Sequence, residues 1–371
     1  MEEKEYHLLI INIGSVSTKV YLYRNEENLI AETVYHSFSQ LSHFHTINDQ
    51  LPFRREVVEE IIKKDRKKID IVVSRGGLTK PLFAGAYHID EKMCEDLYHH
   101  PSGEHPTNLG PIIAFDIARS LKVPAITVDT PSSDEFDDLA RISGLPEIRR
   151  VSAFHTLNQK AAARKVIKNL RFLACGNQRF PLTSSDLRKK YNESNLVVAH
   201  LGGGISIGAH KEGRIVDATH GLSEGPFTPD RAGSLPTSGL LELCFSGRFS
   251  REDLQKKLVG TGGLAAYLGT NDARVVEKKI SDGDDYASLI YEAMAYQIAK
   301  EIGAMSTVLM GKVDAIVLTG RLANSKRLVG WIRERVDQIA PVMVYPGEDE
   351  MEILNLSGLG VLRGEEEAKE Y

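Results

Sequence analysis

The sequence predicts an α/β protein with two domains of the same topology, each a mixed sheet flanked by helices. At 371 residues, the chain exceeds the size at which one hydrophobic core usually keeps growing. Short β-branched runs alternate with helical patterns along it, which favours largely buried sheets. One hairpin-like segment also occurs twice, about half the chain apart. Together these observations predict a duplicated α/β architecture.

Each predicted strand is a short apolar run that ends at a turn signal. The strand candidates include HLLIINIG, VYLYR, IDIVVSRGG, AITVDT, NLVVAHLGGG, ISIGAH, RIVDAT, DAIVLTG and VMVYPG. Apolar residues at helical spacing predict helices over roughly 47–64, 107–121, 152–170, 250–258, 271–280, 284–310, 324–338 and 350–363.

The repeated segment is the main indication of two similar domains, although hairpins of this kind also recur by chance. The two copies of this segment are HLLIINIGSVSTKVYLYRNEENLIAET and NLVVAHLGGGISIGAHKEGRIVDAT. Each copy begins with an apolar strand and passes through a polar residue, Asn12 or His200, to a glycine. Each then continues as a strand in which apolar and polar residues alternate. We expect one domain over 1–131 plus 352–371 and a second domain over 132–351.

Composition and charge exclude several functions. The net charge of -5 does not favour nucleic acid as a partner. The three cysteines, Cys94, Cys175 and Cys244, are far apart in the sequence. This spacing predicts buried free thiols in a reducing compartment. The start MEEKEYHLLIINIG does not resemble a signal peptide, and LIYEAMAYQIAKEIGAMSTVLMG carries charges that predict a core helix rather than a membrane span. We therefore expect a cytoplasmic protein.

The glycine cluster Gly202–Gly204 suggests a phosphate site of a particular kind. A dinucleotide fingerprint requires a helix directly after the glycines, whereas here ISIGAH alternates like a strand and KEG signals a turn. The chain also lacks the G-K-[ST] tripeptide of a Walker A loop. What remains is a hairpin whose backbone N–H groups face a phosphate, or glycines that only shape a tight turn.

A second hairpin and a third strand end extend this hypothesis. NIGSVSTK adds the hydroxyls of Ser15, Ser17 and Thr18, so two hairpins could hold a polyphosphate between them. DAIVLTGRLANS ends a buried strand at Gly320, where an adenine or ribose could lie against the backbone.

Several motifs together resemble a known superfamily. They are NIGSVSTK, SRGGLTKPLFAGAY, HPTNLG, VDTP, FHTLNQKA, HLGGGISIGAHKEGRIVD, EGPFTPDRAGSLP, NDAR, LTGRLANS and YPGEDEME. In content and order they resemble the acetate and sugar kinase, Hsp70 and actin superfamily, and within it the butyrate kinases of the acetokinase family. Ile13 stands where relatives commonly have proline, and acetate kinases, which commonly have Asn at the position of Gly203, are less similar.

The resemblance implies an actin-like, ribonuclease H-like fold, with an N-terminal acyl-substrate domain over 1–131 plus 352–371 and a C-terminal nucleotide-binding domain over 132–351. It places the active site in the cleft between the domains. It also implies reversible, in-line transfer of a phosphoryl group from ATP, with Mg²⁺, to a short-chain carboxylate. The products are an acyl phosphate and ADP. Butyrate is the expected substrate, with isobutyrate or another branched acid as alternatives. The family also implies a homodimer or a larger homo-oligomer.

The chemistry agrees with this reading. A short fatty acid has a pKa near that of Glu, about 4.3, so it is ionised at neutral pH and needs no general base. The obstacle is repulsion between two anions, which positive charge and alignment can overcome.

The resemblance assigns residues to these tasks. An isolated arginine is usually a surface ion pair and an isolated histidine is usually structural, but here the motif positions imply catalytic roles for Arg75, Asp129, His155 and Arg231. The implied nucleotide-binding residues are Asn12, Ser15, Ser17, Thr18, Lys19, His200, Gly202, Gly203, Gly204, Asp272, Arg274, Gly320 and Asn324. Among the acids of YPGEDEME, we expect Glu350 to hold Mg²⁺, directly or through water.

Two other classes of function remain open. An ATP-binding sensor or chaperone-like module would bind ATP without a small acceptor. A sugar or polyol kinase would need a carboxylate base, for which Asp129 could serve.

Further residues are candidates for the acyl site. Leu78, Phe83 and Ala84 could line an acyl pocket, and His105 is a possible substrate contact.

Overall fold

The computed structural model describes residues 4–64, 68–174, 190–347 and 350–371. The chain divides into two compact units, Met1–Asp134 with Asp349–Tyr371 and Glu135–Glu348, here called the N-terminal and C-terminal units. The domain roles assigned from the sequence stay a prediction.

The strands form two sheets. In chain order they are β1 His7–Ile13, β2 Ser17–Arg24, β3 Glu27–Tyr35, β4 Ile71–Arg75, β5 Ala86–His88, β6 Ala125–Val128, β7 Asn195–Leu201, β8 Ile205–Lys211, β9 Arg214–Ala218, β10 Ala315–Gly320 and β11 Val342–Pro346. The first sheet has the order β3-β2-β1-β4-β6-β5 and the second has the order β11-β10-β7-β8-β9.

The helices lie between and after these strands. They are α1 Phe38–Leu41, α2 Leu51–Ile62, α3 Glu91–His99, α4 Leu109–Leu121, α5 Thr156–Ala174, α6 Thr237–Phe245, α7 Arg251–Leu258, α8 Gly263–Leu268, α9 Ala273–Ser281, α10 Asp285–Val308, α11 Lys326–Val336 and α12 Glu350–Leu362. Short 3₁₀ helices cover Asn48–Gln50, Pro106–Asn108, Asp138–Arg141 and Arg321–Asn324.

The two sheets share one topology over five strands. In each, three consecutive strands pair antiparallel, and two later strands add in parallel beside the first strand of that set. The order β3-β2-β1-β4-β6 thus corresponds to β9-β8-β7-β10-β11, with β5 an addition to the first sheet. The predicted α/β fold of duplicated topology, with mixed sheets, is confirmed.

Successive side chains of the central strands point to opposite faces of each sheet, and helices pack on both faces. In β1, Leu9 and Ile11 share a core with α4, whereas Leu8 packs against Gly358 of α12. In β7, Val197 and its alternate neighbours share a core with α10, whereas Leu196 and Val198 pack against α5. The central strands are buried on both sides, which is why they read as continuous apolar runs.

Several sequence-based expectations differ from the structure. The strand β5 and the helices α1, α3, α6 and α8 were not predicted, and α5 begins at Thr156 rather than near 152. The thiols are not uniformly buried: Cys244 is exposed, Cys94 is half-buried with its pKa raised to about 12, chiefly by burial, and Cys175 lies outside the described residues. The apolar run over 284–310 forms α10, with ten buried residues, as predicted for a core helix. Throughout the described ranges, no helix is both long and apolar enough to cross a membrane.

Candidate active site

The glycine turn of the C-terminal unit joins β7 to β8. The amide of Gly202 donates to the carbonyl oxygen of Gly204 at 3.0 Å, which closes the turn. The hydroxyl of Thr228 donates to the carbonyl oxygen of Gly203 at 2.7 Å and ties the turn to the loop that carries Arg231. The strands β7 and β8 pair antiparallel on either side of this turn, so the predicted hairpin is present.

The adjacent glycines Gly203 and Gly204 have different surroundings. A Cβ added at Gly204 would lie 2.7 Å from Cζ of Arg231, so the guanidinium lies directly against the backbone. A Cβ added at Gly203 would meet none of the described residues within 4 Å. Gly204 therefore makes room for a protein side chain, whereas Gly203 leaves space beside the turn that a ligand could use.

Arg231 is mostly buried and is held by the backbone. Its Nη1 donates to the carbonyl oxygen of Gly221, and its Nε lies 3.7 Å from Oδ1 of Asp230. Burial lowers the pKa of Arg231, and Asp230 opposes that shift. A guanidinium remains charged at neutral pH, so this site holds a fixed cation beside the glycine turn.

His155 and His200 lie beside this arginine. Their rings stack with centroids 4.2 Å apart, and Nδ1 of His155 lies 2.9 Å from the hydroxyl oxygen of Ser206. A Cβ added at Gly221 would lie 3.7 Å from Cε1 of His155 and 3.8 Å from Nη1 of Arg231. The structure thus brings together His155, His200, Arg231 and the glycine turn, all of which the motifs had singled out.

A cavity of about 710 Å³ adjoins the glycine turn. It is lined by Gly202, Gly203, Pro229, Asp230, Asn271, Asp272, Ala273, Arg274, Glu277, Arg321, Leu322, Asn324 and Ser325. Five predicted nucleotide-binding residues are among them. The volume lies within the usual range for small-molecule and cofactor sites.

Asp272 and Arg274 also have a structural role. Asp272 caps the N-terminus of α9, accepting from the amide of Arg274 at 2.9 Å, and pairs with that residue's guanidinium at 2.7 Å. Hydrogen bonds from Arg274 lower the pKa of Asp272 to about 2. The Arg274 side chain is exposed at the edge of the cavity, so capping and ligand contact are compatible there.

Gly320 ends β10 beside the glycine turn. Its φ is +90°, and a Cβ there would lie 2.7 Å from the carbonyl carbon of Leu201. Only glycine accommodates both that conformation and that approach. Asn324 lies in the next 3₁₀ helix, where its side-chain amide donates to the carbonyl oxygen of Arg321 at 2.9 Å.

In the N-terminal unit, Glu350 joins two predicted residues. Its Oε2 accepts from the side-chain amide of Asn12 at 2.8 Å, and its Oε1 lies 3.3 Å from Nη2 of Arg75. Asn12 is near the end of β1, Arg75 ends the adjacent parallel strand β4, and Glu350 begins α12. The three side chains form a compact polar cluster at the carboxyl edge of this sheet.

The first hairpin is supported from inside by Arg54, a residue that the sequence did not single out. Arg54 is fully buried and donates to the carbonyl oxygens of Ser15 and Ser17 at 3.0 and 2.9 Å, and to the Thr18 hydroxyl at 3.1 Å. His36 Nε2 lies 2.9 Å from that hydroxyl. The Thr18 hydroxyl therefore belongs to the buried support of the hairpin.

The other hydroxyls of this hairpin are more accessible. Ser15 is exposed, and Ser17 and Lys19 are partly buried. Their positions are compatible with the predicted ligand contacts.

Asp129 follows β6 in a left-handed conformation with φ +44°. Its Oδ1 accepts from the amide of Gly85 at 2.8 Å, and its own amide donates to the Gly85 carbonyl oxygen at 3.1 Å. A non-glycine residue in this region is uncommon, and such strain often accompanies functional sites. Asp129 is thus fixed one strand away from Arg75.

His105 lies near Arg75. Burial and the positive charge of Arg75 lower the pKa of His105, and its Nδ1 accepts from the amide of Thr107 at 3.2 Å. The ring therefore keeps its proton on Nε2.

The arrangement of carboxylate and other donor groups bears on metal binding. The described part of the chain contains no cluster of three or more His, Cys, Asp or Glu side chains arranged to hold a metal ion. Mg²⁺ usually keeps several waters and uses one or two carboxylates together with substrate phosphates. The Glu350 carboxylate beside the Asn12 amide fits that mode, whereas Glu348 and Asp349 lie outside the described residues.

Solved kinase structures share this fold over nearly their whole length. The propionate kinase from Francisella tularensis subsp. tularensis SCHU S4 is 19% identical, with a TM-score of 0.69 over 94% of this chain and 98% of that chain. The acetate kinase from Porphyromonas gingivalis is 19% identical, with a TM-score of 0.70 over 96% and 100%. The acetate kinase from Entamoeba histolytica is 16% identical, with a TM-score of 0.72 over 95% and 99%. The chain thus has the acetate kinase fold, an actin-like fold.

The sequence also matches a family model. Residues 177–343 match the Acetokinase family. This segment includes the glycine turn, Arg231 and the whole lining of the cavity. Over this segment the chain is therefore similar to the Acetokinase family.

Proposed function

We propose that the protein is an ATP-dependent kinase that transfers the γ-phosphoryl group to a short-chain carboxylate. The products are an acyl phosphate and ADP, and the reaction is reversible. The observation that carries this proposal is the placement of Arg231 and His155 at a glycine turn whose Gly203 borders the 710 Å³ cavity. A nucleoside in the cavity would direct its phosphates to the turn.

The donors at this turn match the chemistry of phosphoryl transfer. The acceptor carboxylate is already an anion, so the enzyme must chiefly offset charge and align the reactants. The backbone amides of the turn can bind phosphate oxygens, and Arg231 and His155 can donate to the transferring group. None of these residues has to remove a proton from the acceptor.

The polar cluster of the N-terminal unit supplies a second set of groups. Arg75 offers a planar cation suited to a carboxylate or a phosphoryl oxygen. Glu350 and Asn12 orient that arginine, and Glu350 would also hold the Mg²⁺ that accompanies ATP. The metal offsets phosphate charge when it is bound. Asp129 serves as a fixed active-site carboxylate.

Butyrate is the proposed acyl substrate, and isobutyrate, propionate and acetate are its competitors. Leu78 and Ala84 are partly buried and can contact a short aliphatic chain, whereas the Phe83 side chain is 60% exposed and is a weaker candidate. One methylene changes binding in such a pocket by only about 1–3 kcal/mol. A comparison of kcat/KM over C2 to C6 acids, straight and branched, identifies the preferred length.

The central experiment traps the product. With butyrate, ATP and Mg²⁺, we expect an acyl phosphate that hydroxylamine converts to a hydroxamate. Arg75→Ala and Arg231→Ala should each lower turnover by about 100-fold, because each removes a fixed cation from the transferring charge. Arg214→Ala is the control, since Arg214 forms a partly exposed ion pair with Asp137 at 3.1 Å and should leave turnover near wild type.

The other outcomes separate the rival functions. ATP binding with no hydroxamate from any C2 to C6 acid would favour the sensor or chaperone-like module. Phosphorylation of glucose or glycerol in preference to the acids would favour a sugar or polyol kinase. Wild-type turnover in both arginine variants would refute the charge-offset mechanism.

We also propose a homodimer or a larger homo-oligomer, and a cytoplasmic location stays a prediction. Every residue of α6 is described and none is buried, and its Leu241 and Phe245 are 57% and 83% exposed. An apolar helix face of this kind commonly marks an interface. Sedimentation of Leu241→Asp beside the wild type tests this: a monomeric wild type would refute the proposal.

A further inference from the structure

We infer that Tyr191, His210, Gln159 and Ser206 form a directed hydrogen-bond chain that keeps the proton of His155 on Nε2. The inference rests on the proposed function, because the Nε2–H group would donate to the transferring phosphoryl group. The four residues would not touch the substrate; they are positioning residues that act through His155.

The orientation of Gln159 fixes the direction of the chain. Its Nε2 lies 3.2 Å from the backbone carbonyl oxygen of Ser206 and 2.9 Å from the hydroxyl oxygen of that residue. A carbonyl oxygen only accepts, so the amide NH₂ must be on this side. The amide oxygen of Gln159 therefore faces His210, whose Nε2 lies 3.1 Å away and must donate.

His210 carries the chain toward Tyr191. Its Nδ1 lies 2.8 Å from the hydroxyl oxygen of Tyr191. Burial and the nearby ammonium of Lys160 lower the pKa of His210 well below its usual value, so the ring is neutral. With its single proton on Nε2, Nδ1 must accept, and Tyr191 donates to it. Lys160 is itself paired with the Glu135 carboxylate at 2.8 Å.

Ser206 carries the chain toward His155. Its hydroxyl oxygen accepts from Gln159, so its own hydrogen needs an acceptor. Within the described ranges, the acceptor beside this buried hydroxyl is Nδ1 of His155, 2.9 Å away. Donation in the opposite direction would leave the serine hydrogen unsatisfied, which is unfavourable in a buried site.

The consequence is a defined protonation state for His155. Its Nδ1 accepts from Ser206, so the neutral ring carries its hydrogen on Nε2. The alternative tautomer would present a lone pair at Nε2 and would repel a phosphoryl oxygen. The hydrogen-bond chain thus keeps Nε2 of His155 as a donor.

An independent feature of β8 supports this arrangement. Gly208 lies in the middle of a strand, where glycine is usually unfavourable. A Cβ at this position would overlap the Gln159 amide oxygen and would lie 3.3 Å from its Cδ. The glycine therefore provides the space in which Gln159 bridges Ser206 and His210.

The direct test is ¹⁵N NMR of the histidine side chains in the full-length protein, with His155 assigned by the signal that His155→Asn lacks. We expect neutral His155 and His210, each protonated on Nε2 and not on Nδ1. A wild-type His155 protonated on Nδ1 would overturn the inference, even if carboxylates are phosphorylated. Absence of carboxylate turnover would instead refute the proposed function and leave the tautomer measurement intact.

Two variants interrupt the chain. Ser206→Ala removes the donor to His155, and Gly208→Ala displaces Gln159. Each should lower kcat by about 10- to 100-fold, as outer-shell partners commonly do, with KM for ATP changed by less than about 3-fold. Each should also give a mixture of His155 tautomers. An unchanged His155 spectrum in a folded Ser206→Ala protein would refute the inference.

Matched controls separate positioning from stability. Ser306→Ala removes another buried hydroxyl, one that donates to the carbonyl oxygen of Ile302 within α10. Gly330→Ala adds a methyl group where nothing lies within 4 Å among the described residues. Both should keep the wild-type tautomer and turnover. If Ser206→Ala does not fold, Gly208→Ala still tests the chain, because the displaced Gln159 amide oxygen no longer requires His210 Nε2 to donate. Unchanged His155 and His210 spectra in that variant would then refute the inference.

Discussion

Gly203 and Gly204 illustrate, at the scale of single residues, how one sequence pattern can combine two physical requirements. Gly204 lacks a side chain because the Arg231 guanidinium occupies that space, whereas Gly203 borders open space and the cavity. The sequence predicted the hairpin and its phosphate role, but it could not distinguish these two glycines. The distinction depends on a loop that is distant in the chain.

The first prediction compares Gly204→Ala with Gly203→Ala. The first change should displace Arg231 and lower kcat by about 100-fold, because a fixed cation moves from the transferring group. The second change should leave the protein's own contacts intact and raise KM for ATP, because the methyl group occupies the space assigned to phosphate. Steady-state kinetics with varied ATP distinguishes the two effects.

Equal effects of the two substitutions on kcat and KM would contradict this assignment. Urea unfolding of both variants is the necessary control. A lost activity that merely follows lost stability would not support the separate roles.

Arg54 and Gln159 show what the sequence could not reveal about single side chains. Arg54 lies in a helical run next to another arginine, and nothing in the local pattern distinguishes the buried residue from the exposed one. Gln159 falls within FHTLNQKA, a motif that was singled out, but its role depends on His210, which is 51 residues away in the chain. Long-range partners of this kind appear only once the strands are paired.

At the scale of elements, the hairpin of β1 and β2 depends on α2 for its shape. Arg54 extends from α2 and satisfies the backbone carbonyl groups of the turn between the strands. Burial lowers the pKa of Arg54 to about 10, which leaves it charged at neutral pH. The turn that is expected to contact phosphate is therefore supported by a buried cation.

The second prediction concerns that support. Arg54→Met should lower the free energy of unfolding by about 2–4 kcal/mol, because buried acceptors lose their donors. Arg55→Met is the adjacent control: its side chain is 40% exposed and pairs with Glu59 and Asp116, so it should change stability by less than about 1 kcal/mol. Urea denaturation measures both, and a similar loss in the two variants would argue against a special role for Arg54.

The elements that were predicted and those that were missed differ in length and in pattern. The long, periodic α10 and the buried central strands carry many apolar residues at regular spacing, so their type was evident. The strand β5 has only three residues, and α8 lies between glycines. Such short elements are fixed by their neighbours rather than by their own sequence.

At the scale of the whole molecule, burial lowers the pKa of several histidines. Burial is the main cause that lowers the pKa of His36, His105, His210 and His220. Each should bind a proton near pH 6.5 in the unfolded chain and only at lower pH in the folded protein. The unfolded state then binds more protons, so stability falls as pH is lowered through this range.

The third prediction follows from this difference in proton binding between the unfolded and the folded state. Between pH 7.5 and pH 5.5 the free energy of unfolding should decrease, with a slope of up to about 1.4 kcal/mol per pH unit for each such histidine. Burial raises the carboxyl pKa of Asp217 and Glu301, which acts in the opposite sense as the pH falls from their raised folded-state pKa values to their unfolded values of 3.8 and 4.5. Urea midpoints across this range, with His45→Gln as the exposed control, provide the measurement; a flat profile would contradict it.

The return of the chain to the N-terminal unit has a consequence for biosynthesis. Helix α12 packs on β1 and β4, and its first residue, Glu350, pairs with Arg75. A ribosome extends a chain by about 5–20 residues per second, so the strands that start this unit emerge long before the helix that completes it. The C-terminal unit is continuous in sequence and can finish folding first. The polar cluster around Arg75 is therefore assembled only after α12 has been synthesised, and a chain terminated before that helix would lack Glu350.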